Sequence, residues 1–297
     1  MKQLKLGIIG LSEGNGHPYS WSAIFNGFNK AVMKTCPFPV IYEYLSKQRF
    51  PKDAIAGAKV THIWTQDLSI SRHIAKASNI VNIVTDYQDM IGQVDAILLA
   101  RDDSQNHLKM SRPFLQAGLP IYIDKPLATT IAEAKKMYSL EQYAGQIFTC
   151  SALAYAKELT LSPKKLDSFG PIHFVNAITP KYWETYAVHI IEPTLNLFKT
   201  KTKHIKSAST HKSKQITTTS IIWDSGLITN FSALGQSATP IKIEIYGQNK
   251  SEVLVFKDTF FAFKKALEEF IAIITKKKKP QKKEDVLHLI SIIEQGL

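Results

Sequence analysis

The sequence predicts an α/β fold: an N-terminal Rossmann-type, doubly wound parallel sheet followed by an α+β domain with a mostly antiparallel open sheet. Apolar runs alternate with helical patterns up to about residue 125. A glycine-rich turn joins the first run to the first helix, and strand-like runs cluster between residues 203 and 265. The 297 residues are expected to form two domains, 1–125 and 126–297.

The first strand is predicted over Lys5–Leu11, an apolar run of the kind that forms a buried parallel strand. Ser12–His17 is then a loop, and Pro18 suits the first turn of a helix. The apolar face of that helix recurs at helical spacing through Trp21, Ile24, Phe25 and Phe28. Val32–Lys59, which prolines interrupt, is predicted to be an insertion with one short element.

The rest of the first domain continues the same alternation. Strands are predicted at Val60–Thr65, Asn82–Val84, Val94–Ala100 and Pro120–Ile123. Helical segments are predicted at Ser69–Ser78, Asp86–Ile91 and Asn106–Ala117, the last closed by Gly118.

A helix over Ile131–Tyr143 is predicted to open the second domain. Five strand-like runs follow an irregular middle: Ile205–Ser209, Thr217–Trp223, Leu227–Leu234, Ile241–Tyr246 and Glu252–Phe256. Asp224-Ser225-Gly226 between two of them predicts a hairpin. Two helices are predicted near the end, at Thr259–Thr275 and Glu284–Gln295.

The net charge of +12 invites a nucleic-acid-binding interpretation. Only four of the 37 basic residues are Arg, however, and Lys lacks the planar fork that reads guanine and phosphate. The basic segments also lack interleaved aromatic residues for stacking bases. We therefore expect no nucleic-acid partner, and we expect Lys276–Lys279 to be a solvated loop.

Segment lengths and cysteine content argue against two further classes. No run approaches the roughly 18 apolar residues of a membrane helix, and the first apolar stretch is too short for a signal peptide. Cys36 and Cys150 are the only cysteines, which excludes a disulfide framework and a zinc cluster and favours two free buried thiols. We expect a cytoplasmic protein with no membrane partner and no metal.

Three glycines lie between the first predicted strand and helix: Gly10, Gly14 and Gly16. A dinucleotide pyrophosphate rests on a helix N-terminus at this point of a Rossmann fold. The spacing departs from G-x-G-x-x-G, since Ser12 and Asn15 stand where glycine is expected, and a plain strand–helix turn is the alternative. Thr65 falls where the ribose-binding acid belongs, so the choice between NAD and NADP stays open.

A more specific pattern runs from Val94 to Ala128. The run VDAILLA precedes a turn with His107, a helix that ends in Ala-Gly, and a strand that ends in Asp124-Lys125-Pro126-Leu127-Ala128. This pattern resembles the Gfo/Idh/MocA oxidoreductases, whose strand ends in Glu-Lys-Pro-Leu-Ala. The last two helices and the hairpin-rich sheet are also similar, so the resemblance covers nearly the whole chain.

The resemblance implies a Rossmann domain with NAD or NADP and an open sheet that forms a homo-oligomer. It implies hydride transfer between the nicotinamide and a hydroxyl or keto group of a sugar, cyclitol or sugar nucleotide. Lys125 would hold and polarise the reacting hydroxyl. The family motif D-x-x-x-H-x-x-D is matched by His189, the implied acid/base, and by Glu192, while Thr185 replaces the first acid.

The cofactor-binding residues are expected to be Gly10, Ser12, Gly14, Asn15, Gly16, His17, Thr65, Arg101, Asp102, His107, Asp124 and Lys125. The substrate-binding residues are expected to be Asp103, Thr185, Tyr186 and Glu192.

Other interpretations of these residues stay open. Lys125 could be a surface lysine in a Lys-Pro turn, His189 a core histidine, and the acids at 102 and 103 a helix cap. Glu184, Tyr186 or Asp102 could take over the role of the missing acid. The chain could also be a non-catalytic cofactor or sugar sensor, or a lyase or hydrolase that uses NAD for transient oxidation.

Overall fold

A computed structural model describes residues 3–297; Met1 and Lys2, where the predicted first domain begins, lie outside the described residues. The chain divides into two units. The first contains the chain up to Ala128, Lys135–Thr149 and Ala266–Lys282. The second contains Thr129–Ala134, Cys150–Lys265 and Lys283–Leu297. Each unit is therefore built from three separate segments of the chain.

A parallel sheet organises the first unit. Its strands are β1 (Leu4–Ile9), β2 (Ala58–Trp64), β3 (Asn82–Ile83), β4 (Ala96–Leu99), β5 (Ile121–Ile123) and β6 (Ile147–Phe148). Their order is β3-β2-β1-β4-β5-β6, and neighbouring strands are parallel. The predicted Rossmann-type sheet is confirmed. The chain order reverses between β1 and β4, and ligands of such sheets bind at the carboxyl ends of the strands at that point.

The helices of the N-terminal part alternate with these strands. They are α1 (His17–Asn26), α2 (Lys30–Met33), α3 (Pro39–Leu45), α4 (Leu68–Ala77), α5 (His107–Gln116) and α6 (Ile131–Tyr138). The insertion predicted to hold one short element forms two, because the Asn29 side chain caps α2 and Pro39 begins α3. The helix predicted over Ile131–Tyr143 ends at Tyr138, and Gln142 instead donates to the carbonyl oxygens of Leu115 and Gln116.

The apolar runs that predict the strands are the core of the first unit. Every residue of β4 is fully buried. Aromatic rings extend this core: Trp21 of α1 stacks on Tyr122 of β5 at 4.6 Å, and Tyr122 packs edge-on against Phe148 of β6 at 4.8 Å. Burial of such rings is a large hydrophobic contribution, and it fixes α1 against the sheet.

An open sheet organises the second unit. Its strands are β7 (Ile172–Thr179), β8 (Ile205–Ser213), β9 (Ile216–Trp223), β10 (Ile228–Ala233), β11 (Lys242–Gly247) and β12 (Ser251–Val255). The order is β12-β11-β7-β10-β9-β8; β7 and β10 are parallel, and the other neighbours are antiparallel. This confirms the mostly antiparallel sheet. The predicted hairpin joins β9 to β10, with Gly226 at a φ of 82°.

The remaining helices are α7 (Pro163–Asp167), α8 (Trp183–Tyr186), α9 (Val188–Leu197), α10 (Thr259–Ile274) and α11 (Lys283–Gln295). Alternate residues of β9, such as Ile221 and Trp223, are buried, and Trp223 packs edge-on against His288 of α11. Ile222 on the opposite face is 40% exposed. One face of the sheet is thus covered by helices, and the other is open.

Two further expectations concern chain-wide features. Neither Cys36 nor Cys150 is in a disulfide and both are buried, as predicted, and burial raises the pKa of the Cys36 thiol. Across residues 3–297, every helix is too short or too polar to span a bilayer.

Candidate functional site

The loop between β1 and α1 carries the three predicted glycines. A Cβ atom on Gly10 would lie 2.2 Å from Pro18 Cγ, and one on Gly16 would lie 2.5 Å from Ile41 Cδ1. These two positions need glycine because the loop packs tightly on α1 and α3. Gly14 has a φ of 71° and no atom within 4 Å of an added Cβ, so the loop is open on that side.

The N-terminus of α1 is partly satisfied by the loop itself. The Asn15 side chain accepts the His17 backbone N–H at 2.8 Å, and Pro18 has no N–H to offer. The polar side-chain atoms that Ser12, Asn15 and His17 present at the carboxyl end of β1 lie against the carboxylates of Asp102 and Asp124. The open side at Gly14, in the loop before α1 at the topological switch point, fits a dinucleotide phosphate.

Asp124 follows β5 and is almost fully buried. Its Oδ2 accepts from Asn15 Nδ2 at 2.9 Å and lies 2.5 Å from His17 Nδ1, and its Oδ1 accepts the Lys125 backbone N–H at 2.8 Å. Burial by itself would raise the pKa of Asp124. The neighbouring His17 and Lys125 charges and the hydrogen bonds prevail and hold that pKa well below its usual range.

The Lys125 side chain is 5% exposed, and its ammonium lies 3.3 Å from Asp102 Oδ2. Ser12 Oγ donates to the other oxygen of Asp102 at 2.6 Å, and the Asp102 backbone N–H donates back to Ser12 Oγ at 3.1 Å. Asp102 thus joins the glycine loop to the Lys125 ammonium. A lysine buried beside a carboxylate at the carboxyl end of a central strand differs from a surface lysine in a Lys-Pro turn.

Thr65 lies just beyond β2, as predicted, and is buried. Its hydroxyl donates to the Asp67 carbonyl at 2.6 Å and lies 2.8 Å from Ser71 Oγ. These contacts bond the Thr65 hydroxyl to the segment that leads into α4, whose N-terminus is capped by the Asp67 side chain.

Gln66 was not predicted as a site residue. Its side chain connects the end of β2 to the loop between β1 and α1. Its Nε2 donates to the Leu11 carbonyl at 2.6 Å, and its Oε1 accepts from Leu11 N and Arg101 Nη1, both at 3.1 Å. It thereby bridges the residues that follow β2, β1 and β4. The sequence feature that could have identified Gln66 is its amide side chain at the end of the second strand, where a Rossmann fold binds the ribose.

Arg101 and Asp103 form a two-point ion pair after β4. Arg101 Nε and Nη2 donate to the two Asp103 oxygens at 2.9 and 2.5 Å, and Asn106 adds a bond of 2.6 Å. Burial opposes ionisation of Asp103, but these donors lower its pKa. Asp103 makes no side-chain cap on the turn that follows. Its carboxylate, predicted to bind substrate, is therefore directed at Arg101.

His107 is fully buried at the start of α5. Nδ1 lies 2.9 Å from the Leu127 carbonyl oxygen, and Nε2 lies 2.7 Å from that of Arg101. Both ring nitrogens are occupied by the backbone. His107 thus ties the residues after β4 to those after β5.

His189, on α9 in the second unit, has its own cluster. Nδ1 lies 2.7 Å from Ser151 Oγ, and the Tyr186 ring packs edge-on against the imidazole at 4.9 Å. Glu192, one turn further along α9, accepts the Ser151 backbone N–H at 2.6 Å. Burial raises the pKa of Glu192 to about 8 despite that hydrogen bond. Ser151 was not predicted, because it is 38 residues from His189 in sequence.

The segment around Thr185 departs from a single helix. α8 ends at Tyr186 and α9 begins at Val188, with Ala187 between them. Thr185 is partly buried in α8, and Tyr186 Oη accepts from Lys181 Nζ at 2.6 Å. Glu184 is exposed. The predicted substrate residues Tyr186 and Glu192 thus cluster with His189, while Asp102, proposed as a substitute acid, pairs with Lys125.

Comparison with known proteins gives the family. The family model described as "Oxidoreductase family, NAD-binding Rossmann fold" matches residues 4–151. No curated protein matches this sequence.

Several solved structures are similar over almost the whole chain. Myo-inositol 2-dehydrogenase from Lactobacillus plantarum has a TM-score of 0.74 at 16% identity, covering 99% of this chain and 96% of its own. UDP-N-acetylglucosamine 3-dehydrogenase from Acidithiobacillus ferrooxidans has 0.71 at 12%, covering 100% and 97%. Biliverdin reductase from Synechocystis sp. PCC 6803, solved with biliverdin and NADP+, has 0.69 at 12%, covering 98% and 97%.

At these identities the likeness to solved structures concerns the fold, and it agrees with the two sheets described above. The family assignment comes from the match over residues 4–151, which contains the glycine loop, Asp102 and the Asp124-Lys125-Pro126 segment. The chain therefore belongs to the Gfo/Idh/MocA oxidoreductase family, whose Rossmann domain binds NAD or NADP.

Proposed function

We propose that this protein is an NAD(P)-dependent dehydrogenase or reductase that acts on a hydroxyl or keto group of a sugar, cyclitol or sugar nucleotide. The observation that carries the proposal is the Lys125 ammonium, buried beside Asp102 at the carboxyl end of the central strands and joined to the glycine loop. Family membership supplies the nicotinamide cofactor class.

The chain's own residues have distinct roles in this proposal. The loop that carries Ser12, Gly14, Asn15 and His17 would hold the dinucleotide phosphates, and Gln66 and Arg101 line the region after β2 and β4. A nicotinamide bound there would supply or accept the hydride. Lys125 donates a hydrogen bond to the reacting oxygen and stabilises negative charge on it, with Asp102 fixing the position of the ammonium.

His189 is proposed as the acid/base of the same reaction. Histidine side chains in general change charge between pH 5 and 8, and this residue type therefore suits proton exchange with a substrate oxygen. Tyr186 and Glu192 contact His189 or its partner Ser151, and this supports a role for both near the substrate.

The open face of the second sheet supports a homo-oligomer. Tyr246, Phe174, Ile228 and Ile222 are aligned in register across β11, β7, β10 and β9. Tyr246, Ile228 and Ile222 are each 37 to 43% exposed. Such a patch is typical of a protein interface. Sedimentation of the wild type should show an oligomer, and Ile228→Glu should reduce it to a smaller species.

The test of function starts with cofactor binding. NADH and NADPH are titrated by nicotinamide fluorescence, and myo-inositol, glucose and UDP-N-acetylglucosamine are then screened by absorbance of the reduced nicotinamide. Lys125→Ala should lower turnover by about 100-fold or more. Lys109→Ala is the matched control, because this lysine is exposed on α5. Absence of binding by both cofactors, or equal rates in the two variants, would overturn the proposal.

A non-catalytic sensor is the second candidate. The observation that favours it is the self-satisfied loop, in which Asn15 occupies the His17 N–H and Gln66 occupies Leu11. Tight cofactor binding without turnover of any polyol or keto sugar would favour the sensor.

A further inference from the structure

Ser151 lies at the centre of the His189 cluster and is fully buried. It precedes a short 3-10 turn, Ala152–Tyr155, and its Oγ accepts the Leu153 backbone N–H at 3.2 Å. The same oxygen lies 2.7 Å from His189 Nδ1. Among the described residues, Leu153 and His189 are the hydrogen-bond partners of this hydroxyl.

The direction of the Ser151–His189 hydrogen bond follows from counting protons. A hydroxyl has one proton to donate and two lone pairs. Leu153 N–H uses a lone pair, so the proton of the buried hydroxyl still needs an acceptor. His189 Nδ1 is the acceptor within reach. A neutral imidazole that accepts at Nδ1 carries its own proton on Nε2.

The opposite direction leaves a buried group unsatisfied. If Nδ1–H donated to Ser151, the hydroxyl oxygen would accept two hydrogen bonds and its proton would have no partner among the described residues. An unmade hydrogen bond in a fully buried position is unfavourable, because the group has lost water and gained nothing. The Nε2-protonated form is therefore favoured.

Neighbouring groups hold Ser151 and the His189 imidazole within hydrogen-bond distance of each other. Glu192 Oε2 accepts the Ser151 backbone N–H at 2.6 Å. Glu192 and His189 are three residues apart on α9 and so share a face. The Tyr186 ring contacts the imidazole edge-on, with Lys181 bonded to the Tyr186 hydroxyl. Glu192, Tyr186 and Lys181 are thus titratable groups of this unit that lie around the pair.

We propose that Ser151 is the positioning residue of His189, donating to Nδ1 and setting the neutral imidazole in its Nε2-protonated form. Its catalytic meaning rests on the proposed function. The resting ring then offers Nε2–H as a donor, which suits a keto oxygen. To take a proton from a substrate hydroxyl at Nε2, the ring must first carry its proton on Nδ1, with the Ser151 hydroxyl turned to accept it.

The test uses the full-length protein labelled with ¹⁵N-histidine. Long-range ¹H–¹⁵N spectra distinguish the two ring nitrogens of a neutral histidine, and the spectrum of His189→Gln assigns His189 among the nine histidines. The wild type should show Nε2 protonated and Nδ1 unprotonated. Ser151→Ala should lower the ratio of the Nε2–H to the Nδ1–H form by about tenfold, and Ser151→Cys, which keeps a weak donor, should restore it in part.

A matched control separates this effect from loss of a turn cap. Ser162 also caps a helix with its hydroxyl, accepting from Lys165 N, and within residues 3–297 its hydroxyl is not bonded to a histidine. Ser162→Ala should leave the His189 signals unchanged. A wild-type spectrum with the proton on Nδ1 would overturn the proposal even if Ser151→Ala fails to fold, and so would an unchanged ratio in a folded Ser151→Ala. These spectra are recorded without cofactor or substrate. A failed NADH titration would therefore refute the proposed function and leave the proposal for Ser151 standing.

Discussion

Asp124→Asn is the substitution whose effect can best be worked out from the contacts. One carboxylate oxygen accepts from Asn15 and faces His17, and the other accepts the Lys125 backbone N–H. An amide has one oxygen and one NH₂ group, so in either orientation its NH₂ faces a donor. At least one buried donor therefore loses its acceptor, and the attraction to His17 is lost as well.

The expected loss follows from these contacts. One or two buried donors without partners cost about 1–3 kcal/mol each, so Asp124→Asn should destabilise the first unit by about 3 kcal/mol at pH 7. For a unit of this size, that corresponds to about 6–12 °C in the melting midpoint. Asp95→Asn is the control, because Asp95 is only partly buried and accepts a single backbone N–H, from Lys5. It should cost less than about 1 kcal/mol.

The pH dependence provides a second check on Asp124. A carboxyl whose pKa is lowered by folding stabilises the protein above its unfolded pKa, about 3.9, and this contribution is lost as the pH falls toward the folded value. The difference between wild type and Asp124→Asn should thus shrink as the pH falls below about 4. Thermal melts followed by circular dichroism measure it. Equal midpoints at pH 7 would refute the reasoning.

Three further predictions concern other residues of the two units. The stability of Glu192→Gln relative to wild type should increase by at least about 1 kcal/mol as the pH rises from 5 to 9, because a folded pKa of about 8 makes ionisation of Glu192 unfavourable. A difference in melting midpoint that stays constant across that pH range would contradict this. Gly16→Ala should cost more than about 2 kcal/mol in urea unfolding through contact with Ile41 and Phe38, and Gly14→Ala about 1 kcal/mol through its positive φ alone. Gln66→Ala should speed hydrogen exchange of the Leu11 amide by about tenfold, and unchanged exchange would show that the bridge is unimportant.

Much of the fold follows from local patterns. The apolar runs at β1, β4 and β5 are buried on both faces, so they predict parallel strands whatever their neighbours are. β7 lies in the stretch predicted to be irregular, although Gly170-Pro171 just before it is a turn signal and its residues alternate in burial. The first unit also takes in Lys135–Thr149 and Ala266–Lys282, which lie after the predicted division at residue 125. A strand as short as β6 carries no periodicity by which the sequence could assign it to a sheet.

The candidate site divides in the same way. Motif spacing was enough to single out Lys125 and His189, because the family pattern is local in sequence. Their partners come from distant segments: Asp102 is 23 residues from Lys125, and Asn15 is 109 residues from Asp124. Gln66 and Ser151 had no motif to mark them.

The sequence by itself determined the two sheets, the family and the residue types of the site, because strand runs, glycine turns and the Asp-Lys-Pro segment are read over a few residues at a time. Only the tertiary structure decided which of those polar groups are bonded to other residues of the protein. It directs Asp103 to Arg101, encloses His107 between two carbonyl oxygens, and gives Lys125 and His189 the partners Asp102 and Ser151. The physical reason is that a buried polar group must find its partner in space, and the chain brings that partner from a distance that spacing in sequence does not encode.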